Sequence, residues 1–113
     1  IISEVDDIEL EDGLFDYFEK YNLKTSNIHL PARLSTKERE KIKETALSIY
    51  KILGCSGFAR VDMFYTKDKR IVFNEVNTIP GCTSHSRYPS MLKEIGISFE
   101  EVIDRLITLG WER

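Results

Sequence analysis

Nowhere in the 113 residues does an apolar run approach the roughly 20 that a membrane-spanning helix needs. Basic tracts are missing too. Sixteen Lys and Arg stand against 19 Asp and Glu, for a formal net charge of −3, so neither nucleic acid nor a membrane is a natural partner. Cysteine is scarce: Cys55 and Cys82 are spaced neither as a zinc pair nor as a redox motif. With no secretion signal, they read as reduced thiols of a cytoplasmic protein. Cys55 reads as packing, and nothing around Cys82 supplies the base or positive pocket of a nucleophile. The opening Ile1-Ile2-Ser3-Glu4-Val5 is too short and too acidic for a signal peptide. It lacks an initiator methionine, which suggests a start inside a longer protein, although processing would also remove one. The chain has no internal repeats and no low-complexity segment. It is long enough for one domain with a core, and small for a complete two-substrate enzyme.

What is present divides into short strands and capped helices. Residues 1–10 read as an irregular strand, its apolar positions interrupted by Asp6, Asp7 and Glu9. Residues 11–27 carry aromatics at Phe15, Tyr17, Phe18 and Tyr21 without a clean period. That is either a functional loop or a connection with aromatics tucked beneath it. Ile28-His29-Leu30 is a short strand stopped by Pro31, and His29 has no companion at metal-ligand spacing. Ser35-Thr36-Lys37-Glu38 has the capping-box pattern and opens a helix over 35–53. Ile42, Ala46, Ile49, Tyr50 and Leu53 form its apolar stripe, and Gly54 ends it. Pro89 to Ile95 predicts a short helix stopped by Gly96. Ser98-Phe99-Glu100-Glu101 predicts a second capping box, opening a helix over 98–110 with Phe99, Val102, Ile103, Leu106, Ile107 and Leu109 on one side.

Between these helices, residues 57–77 hold two runs of strand-forming residues, Arg60 to Tyr65 and Ile71 to Asn77, at hairpin spacing. If Thr66 pairs with Ile71, Phe64 lies opposite Phe73, Asp62 opposite Glu75 and Arg60 opposite Asn77. The other face then carries Val61, Met63, Tyr65, Val72 and Val76, with Asn74 a polar intruder. Like charges set opposite each other about 5 Å apart are destabilising. Either both acids point into water beside Lys67 or Arg70, or a positive group sits between them. Arg60 is one candidate, and Mg²⁺ or Mn²⁺ with the Asn77 amide oxygen as a further hard ligand is the other.

Residues 78–89 follow directly from the strand bearing Glu75 and Asn77. Pro80-Gly81 forces a turn, and Thr83, Ser84 and Ser86 crowd hydroxyls and amides together. Such a loop can present N–H groups to an anion or a carbonyl oxygen, or can serve only as a turn and helix cap.

Taken as a group, Gly57-Phe58-Ala59-Arg60-Val61-Asp62-Met63-Phe64 and Phe73-Asn74-Glu75-Val76-Asn77-Thr78-Ile79-Pro80-Gly81-Cys82-Thr83-Ser84-His85-Ser86 closely resemble the C-terminal signature of the D-alanine–D-alanine ligase family of ATP-grasp enzymes. The similarity continues through Ser98-Phe99-Glu100-Glu101-Val102-Ile103-Asp104-Arg105-Leu106. The implied fold is α+β, the C-terminal lobe of an ATP-grasp domain, an antiparallel sheet with helices packed on one face. The resemblance implies ATP and two Mg²⁺ or Mn²⁺ ions, held by Asp62, Glu75 and Asn77. It implies nucleotide contacts from Lys20, Phe73, Asn74 and Glu75, and an oxyanion site from Arg60 and the Gly81 N–H. Ser86, Arg87 and Arg60, beside Gly81, would hold the carboxylate of a second D-amino acid. Residues 11–27 would be the closing active-site loop, with Lys20 near phosphate and Tyr21 shutting the lid. The implied reaction phosphorylates one D-alanine and joins the acyl phosphate to the amine of a second amino acid. The whole protein would be a homodimer using only small-molecule substrates.

Two departures follow. The upstream regions of that family, which hold the adenine, the ribose and the first D-alanine, are not in these residues, so ligation by this chain alone is not expected. Arg87-Tyr88-Pro89 resembles the vancomycin-resistance branch, where the housekeeping branch usually carries an apolar residue at position 87. The Lys20-Tyr21 pair departs from the D-lactate ligases of that branch, which together points to D-serine as second substrate. The alternatives are a D-alanine–D-alanine ligase, a non-catalytic metal- or nucleotide-binding module, and an α+β interaction domain whose acid pair is accidental.

Overall fold

A computed structural model describes residues 1–8, 28–83 and 85–112. Lys20 and Tyr21, and the loop expected over 11–27, lie outside the described residues. In chain order the elements are β1 (Asp7–Ile8), β2 (Ile28–His29), α1 (Thr36–Ile52), β3 (Arg60–Tyr65), β4 (Ile71–Asn77), α2 (Arg87–Glu94) and α3 (Phe99–Trp111). Among the described residues the strands form two antiparallel pairs, β1 with β2 and β3 with β4. No described helix is long and apolar enough to cross a membrane.

Among the described residues the N-terminal segment is strand only at Asp7–Ile8, and isolated backbone and side-chain contacts rather than a ladder hold its earlier residues. Ala32 N–H donates to the Val5 carbonyl at 2.7 Å. Arg33 donates its backbone N–H to Asp7 Oδ2 and an Nη2–H to Oδ1, both at 2.8 Å. Burial opposes ionisation of Asp7, but the bonds from Arg33 outweigh it and hold the carboxyl below its ordinary value of 3.8. Glu4 reaches Arg39 at 3.4 Å and Lys43 at 3.6 Å, tying the same segment to α1.

Helix α1 begins as its capping box requires. Glu38 N–H donates to Ser35 Oγ at 3.1 Å, and Ser35 N–H to Glu38 Oε1 at 3.3 Å. It ends in a Schellman motif: Gly54, at φ +68°, donates to the Lys51 carbonyl and Cys55 to that of Tyr50. Tyrosines fasten both of its ends to the hairpin. Tyr65 Oη donates to Glu38 Oε2 near the start, and Tyr50 Oη donates to the Gly57 carbonyl at 2.9 Å near the finish. Of the expected apolar stripe, Ile42 is buried, Ala46, Ile49 and Tyr50 are half-buried, and Leu53 is exposed at the cap.

The hairpin corrects the expected register in one half. Asp62 faces Glu75 and Arg60 faces Asn77 as the spacing suggests, but Met63 faces Phe73 and Phe64 faces Val72. Two irregularities cause this. Thr66 closes the loop against Arg70 instead of pairing with Ile71: its N–H donates to the Arg70 carbonyl and its Oγ1 accepts the Arg70 N–H. Lys69 takes φ +64° inside that loop. Asn74 is then the extra residue of a β-bulge, which absorbs the one-residue offset before the acid pair. Phe73 consequently moves to the face of Met63, and Val72 to that of Phe64.

Helix α2 starts at Arg87, two residues before the expected Pro89, with Ser86 at the N-cap position. A second Schellman motif ends it, Gly96 at φ +88° donating to Lys93 and Ile97 to Leu92. Ser98 caps α3 by accepting the Glu101 N–H at 3.2 Å. Of the apolar side expected there, Val102 is buried and Leu106 half-buried, while Phe99, Ile103, Ile107 and Leu109 are exposed. The buried apolar side chains described are Ala32, Ile42, Leu92 and Val102, with the prolines Pro80 and Pro89. That is a thin core.

The depressed Asp7 carboxyl sets a direction for acid stability. Its contribution is present above the ordinary carboxylate value of 3.8 and is lost as pH falls through the lower folded value. Asp7→Asn is therefore expected to lower the unfolding temperature at neutral pH. The gap to the unsubstituted protein should close as the pH is lowered below 3.8 in a series of thermal melts.

Candidate active site

Strand alternation and the restored register put four polar side chains on one face of the hairpin, Arg60 across from Asn77 and Asp62 across from Glu75. Arg60 forks onto Asp62, with Nε to Oδ1 and Nη2 to Oδ2 both at 2.9 Å. That bidentate contact, with Asp62, Glu75 and Asp6 all nearby, holds the guanidinium above its ordinary value. Arg70 plays no part, since it pairs with Asp68 at 2.9 Å at the hairpin tip. Glu75 is exposed and carries no ion pair among the described residues. Asn77 Oδ1 accepts the Ile79 N–H at 3.1 Å, which orients the amide and leaves that oxygen a second lone pair.

Among the described residues no three of His, Cys, Asp and Glu converge as a metal-binding group. The hard-oxygen set is the acid pair plus the Asn77 amide. Two carboxylates and an amide oxygen fit a divalent cation of the Mg²⁺ or Mn²⁺ kind, with water completing the shell. The Glu75 carboxylate is open to it, and Asp62 would have to loosen from Arg60.

Beyond Asn77 the chain turns sharply. Ser86 Oγ accepts the Thr83 N–H at 2.9 Å and lies 2.7 Å from Thr83 Oγ1, so two hydroxyls and an amide are drawn together. A Cβ added at Gly81 would meet Ser86 Oγ at 3.0 Å, so the Ser86 side chain would have to give by a few tenths of an ångström. Cys82 Sγ contacts the Pro80 carbonyl at 3.5 Å, a packing role. The start of α2 is held from below by Phe58, whose ring meets that of Tyr88 edge-on at 5.6 Å. Burial there pushes the Tyr88 hydroxyl above its ordinary value.

A residue not singled out in the sequence completes the wall. Arg87 Nε donates to Asp6 Oδ2 at 2.7 Å, joining positions 81 residues apart. The two side chains are only 15% and 11% exposed. Burial raises the Asp6 carboxyl above its ordinary value, the nearby Asp62 charge adds to the rise, and Arg87 and Arg60 oppose it. The signal in the sequence was an acid interrupting an apolar strand, but its partner lies too far along the chain to be named from spacing.

One cavity of about 780 Å³ collects these groups. Arg60, Asp62, Asn74, Glu75 and Asn77 line it from the hairpin, and Gly81, Ser86 and Arg87 from the turn and α2. Phe73 does not line it; the bulge that turns Asn74 toward the cavity carries Phe73 to the other register. A methyl at Gly81 should push the Ser86 hydroxyl off Thr83. Gly81→Ala is expected to speed hydrogen exchange of the Thr83 amide, read by NMR, while the amides of β3 and β4 stay protected.

The family model for the C-terminus of D-ala D-ala ligases matches residues 1–108. The vancomycin/teicoplanin A-type resistance protein VanA of Enterococcus faecium is 50% identical over 97% of this chain and 33% of its own length. The vancomycin C-type resistance protein VanC1 of Enterococcus gallinarum is 46% identical over 98% of the chain and 32% of its own. Among solved structures, the VanG D-Ala:D-Ser ligase from Enterococcus faecalis superposes with a TM-score of 0.82 at 59% identity, over 96% of this chain and 32% of that one. The chain thus spans about a third of the length of the relatives it matches. On the strength of the matched residues 1–108 and of these relatives, the chain belongs to the D-alanine–D-alanine ligase family, as its C-terminal part.

Proposed function

We propose that this chain is the C-terminal portion of an ATP-dependent D-alanine–D-amino-acid ligase, with D-serine as the second substrate and vancomycin resistance as the outcome. The observation that carries the reading is the register of β3 and β4, with Asp62 across from Glu75 and Arg60 across from Asn77. Asp62, Glu75 and Asn77 would hold two divalent ions against the nucleotide phosphates. When bound, those ions neutralise phosphate charge and draw electron density from the γ-phosphate. Asn74 lines the same cavity, where it would contact the nucleotide.

The remaining chemistry belongs to side chains and amides of this chain. The carboxylate of a first D-alanine takes the γ-phosphoryl group of ATP to give an acyl phosphate and ADP, and the amine of the second amino acid, having lost its extra proton, attacks the carbonyl carbon and expels inorganic phosphate as the amide forms. Negative charge develops on the carbonyl oxygen in that second transition state, where Arg60 and the Gly81 N–H serve as donors. Arg60 commits Nε and one Nη2–H to Asp62, which leaves three of its five N–H groups for this work. The Ser86 hydroxyl and the Arg87 guanidinium bind the second substrate, and Lys20 and Tyr21 close the site against water that would hydrolyse the acyl phosphate.

For the choice of second substrate, Arg87 offers donors that an apolar residue lacks, suited to a hydroxyl as well as a carboxylate. The 59% identity to a D-Ala:D-Ser ligase supports the same choice. The second reading is a D-alanine–D-alanine ligase, favoured by a ligase of that name from Chlorobium phaeovibrioides at 42% identity over 99% of the chain. An enzyme in which this chain supplies the C-terminal third is expected to prefer D-serine to D-alanine in a competition assay of dipeptide formation; preference for D-alanine sinks the proposal. Because the chain spans only a third of its relatives, the 113 residues alone are expected to form no dipeptide in the same assay. Asp62→Ala and Glu75→Ala should each lower kcat of the whole enzyme by roughly a hundredfold or more, the scale seen when charge-stabilising groups are removed. Both variants should also raise the Mg²⁺ concentration needed for half-maximal activity.

A further inference from the structure

Ser86 stands at the N-cap position of α2, yet its side chain accepts no capping hydrogen bond from the helix. The sequence supplies the reason. An N-cap oxygen is normally taken by the N–H of the second or third helical residue, and the third residue here is Pro89, which has none. The Ser86 hydroxyl is left for another partner, and Thr83 meets it twice. The Thr83 N–H donates to Ser86 Oγ at 2.9 Å, and Thr83 Oγ1 lies 2.7 Å from the same atom. Neither contact is needed to make the turn. Ser86 N–H already closes it by donating to the Thr83 carbonyl at 3.1 Å, and the Ser86 carbonyl accepts the Ser90 hydroxyl at 2.8 Å. Both Thr83 and Ser86 line the cavity, and water could satisfy an exposed hydroxyl such as that of Thr83. Their pairing therefore contributes little stability, and its main effect is on direction.

A count of hydrogens decides what that direction means. A serine hydroxyl has one hydrogen to donate and two lone pairs to accept with. The Thr83 N–H takes one of those lone pairs. If the Thr83 hydroxyl takes the other, Ser86 Oγ can accept nothing more and its hydrogen is left for a ligand. If the donation ran the other way, Ser86 would spend its only hydrogen on Thr83 and offer the cavity a lone pair, which a carboxylate repels. We propose that Thr83 is a positioning residue that donates to Ser86 from both its N–H and its hydroxyl, fixing Ser86 as a donor to the carboxylate of the second amino acid. The inference rests on the reading of Ser86 as a second-substrate ligand and adds to it the residue that aims it. Thr83 acts through Ser86, so its loss should change how well the second amino acid is bound and not how fast the bound complex reacts.

The test uses the whole ligase with purified variants. Thr83→Val keeps the branched shape and the N–H and removes only the hydroxyl. It is expected to raise KM for the second amino acid about fivefold, the scale of one hydrogen bond, with kcat and KM for ATP altered by less than about twofold. Thr83→Ser retains the hydroxyl and should hold KM within about twofold of the unsubstituted enzyme. In a Ser86→Ala background Thr83→Val should add nothing further, because the group it aims is gone. A loss of kcat with KM unchanged, a Thr83→Ser variant as impaired as Thr83→Val, or full additivity with Ser86→Ala overturns the proposal. If Ser86→Ala leaves KM for the second amino acid unchanged, the underlying substrate reading has failed and the role of Thr83 with it. If Ser86→Ala raises KM and Thr83→Val does not, only the role of Thr83 has failed. Should Thr83→Val not fold, Thr83→Ala also keeps the N–H without the hydroxyl and is read in the same way.

Discussion

Two carboxylates set opposite each other on a hairpin are a standing electrostatic debt, and the rest of this chain is arranged around it. Asp62 and Glu75 cannot share one face in water-poor surroundings without a cation between or beside them. Among the described residues that cation is the Arg60 guanidinium, two positions along the same strand. Strand geometry makes this possible, since residues i and i+2 project to the same face. The arrangement is one-sided, because Arg60 neutralises Asp62 while Glu75 stays exposed. An acid pair half-compensated in this way leaves the Glu75 carboxylate open to a further cation, as a fully paired set would not. The same strand therefore carries both an acid of the proposed metal set and the arginine that pairs with it.

The apolar residues serve to hold that face in place more than to build an independent core. The described buried set is small, and Phe64, Val72, Phe73 and much of one side of α3 remain open to solvent. Where packing is thin, directional contacts do the aligning. Tyr65 of β3 holds Glu38 at the start of α1 and Tyr50 near its end holds Gly57, and Schellman turns fix where α1 and α2 stop. Polar contacts of this kind contribute little net stability each, but they set orientation closely, and a site made of opposed charges needs orientation.

The parts legible in the sequence were those governed by neighbours. Capping at Ser35, helix termination at Gly54 and Gly96, and the opposition of Asp62 with Glu75 all follow from local rules of spacing and backbone freedom. The Pro80-Gly81 turn and its motif carried the family, although periodicity alone would not have named it. What was missed depended on events that local rules do not see. Placing Thr66 in the ladder looked as good as closing the loop on it, and only a bulge at Asn74 reconciles the closed loop with the acid pair. That one residue decided that Asn74 lines the cavity and Phe73 does not. Helix α2 begins at Arg87 because Arg87 and Tyr88 both have tertiary partners, which leaves Pro89 in the first turn but not at its usual first helical position. Asp6 stayed hidden for the same reason, since its partner is 81 residues away.

Asn74, the start of α2 and Asp6 all border the same cavity, beside the correctly read Asp62 and Glu75, whereas the helix caps at Ser35 and Ser98 and the stops at Gly54 and Gly96 lie outside it. Local preference and global fold agree where a segment only has to be stable, and part company where side chains from distant positions must converge. The two arginines show what that convergence provides. Arg60 is held by its own strand and Arg87 by a residue from the opposite end of the chain, yet each keeps N–H groups uncommitted. A wall with two fixed guanidiniums, each partly satisfied, can take up negative charge without rebuilding itself. A solvent-exposed lysine would have to give up hydration and freedom to do the same. The acids that hold these arginines are therefore as much a part of the site as the arginines themselves.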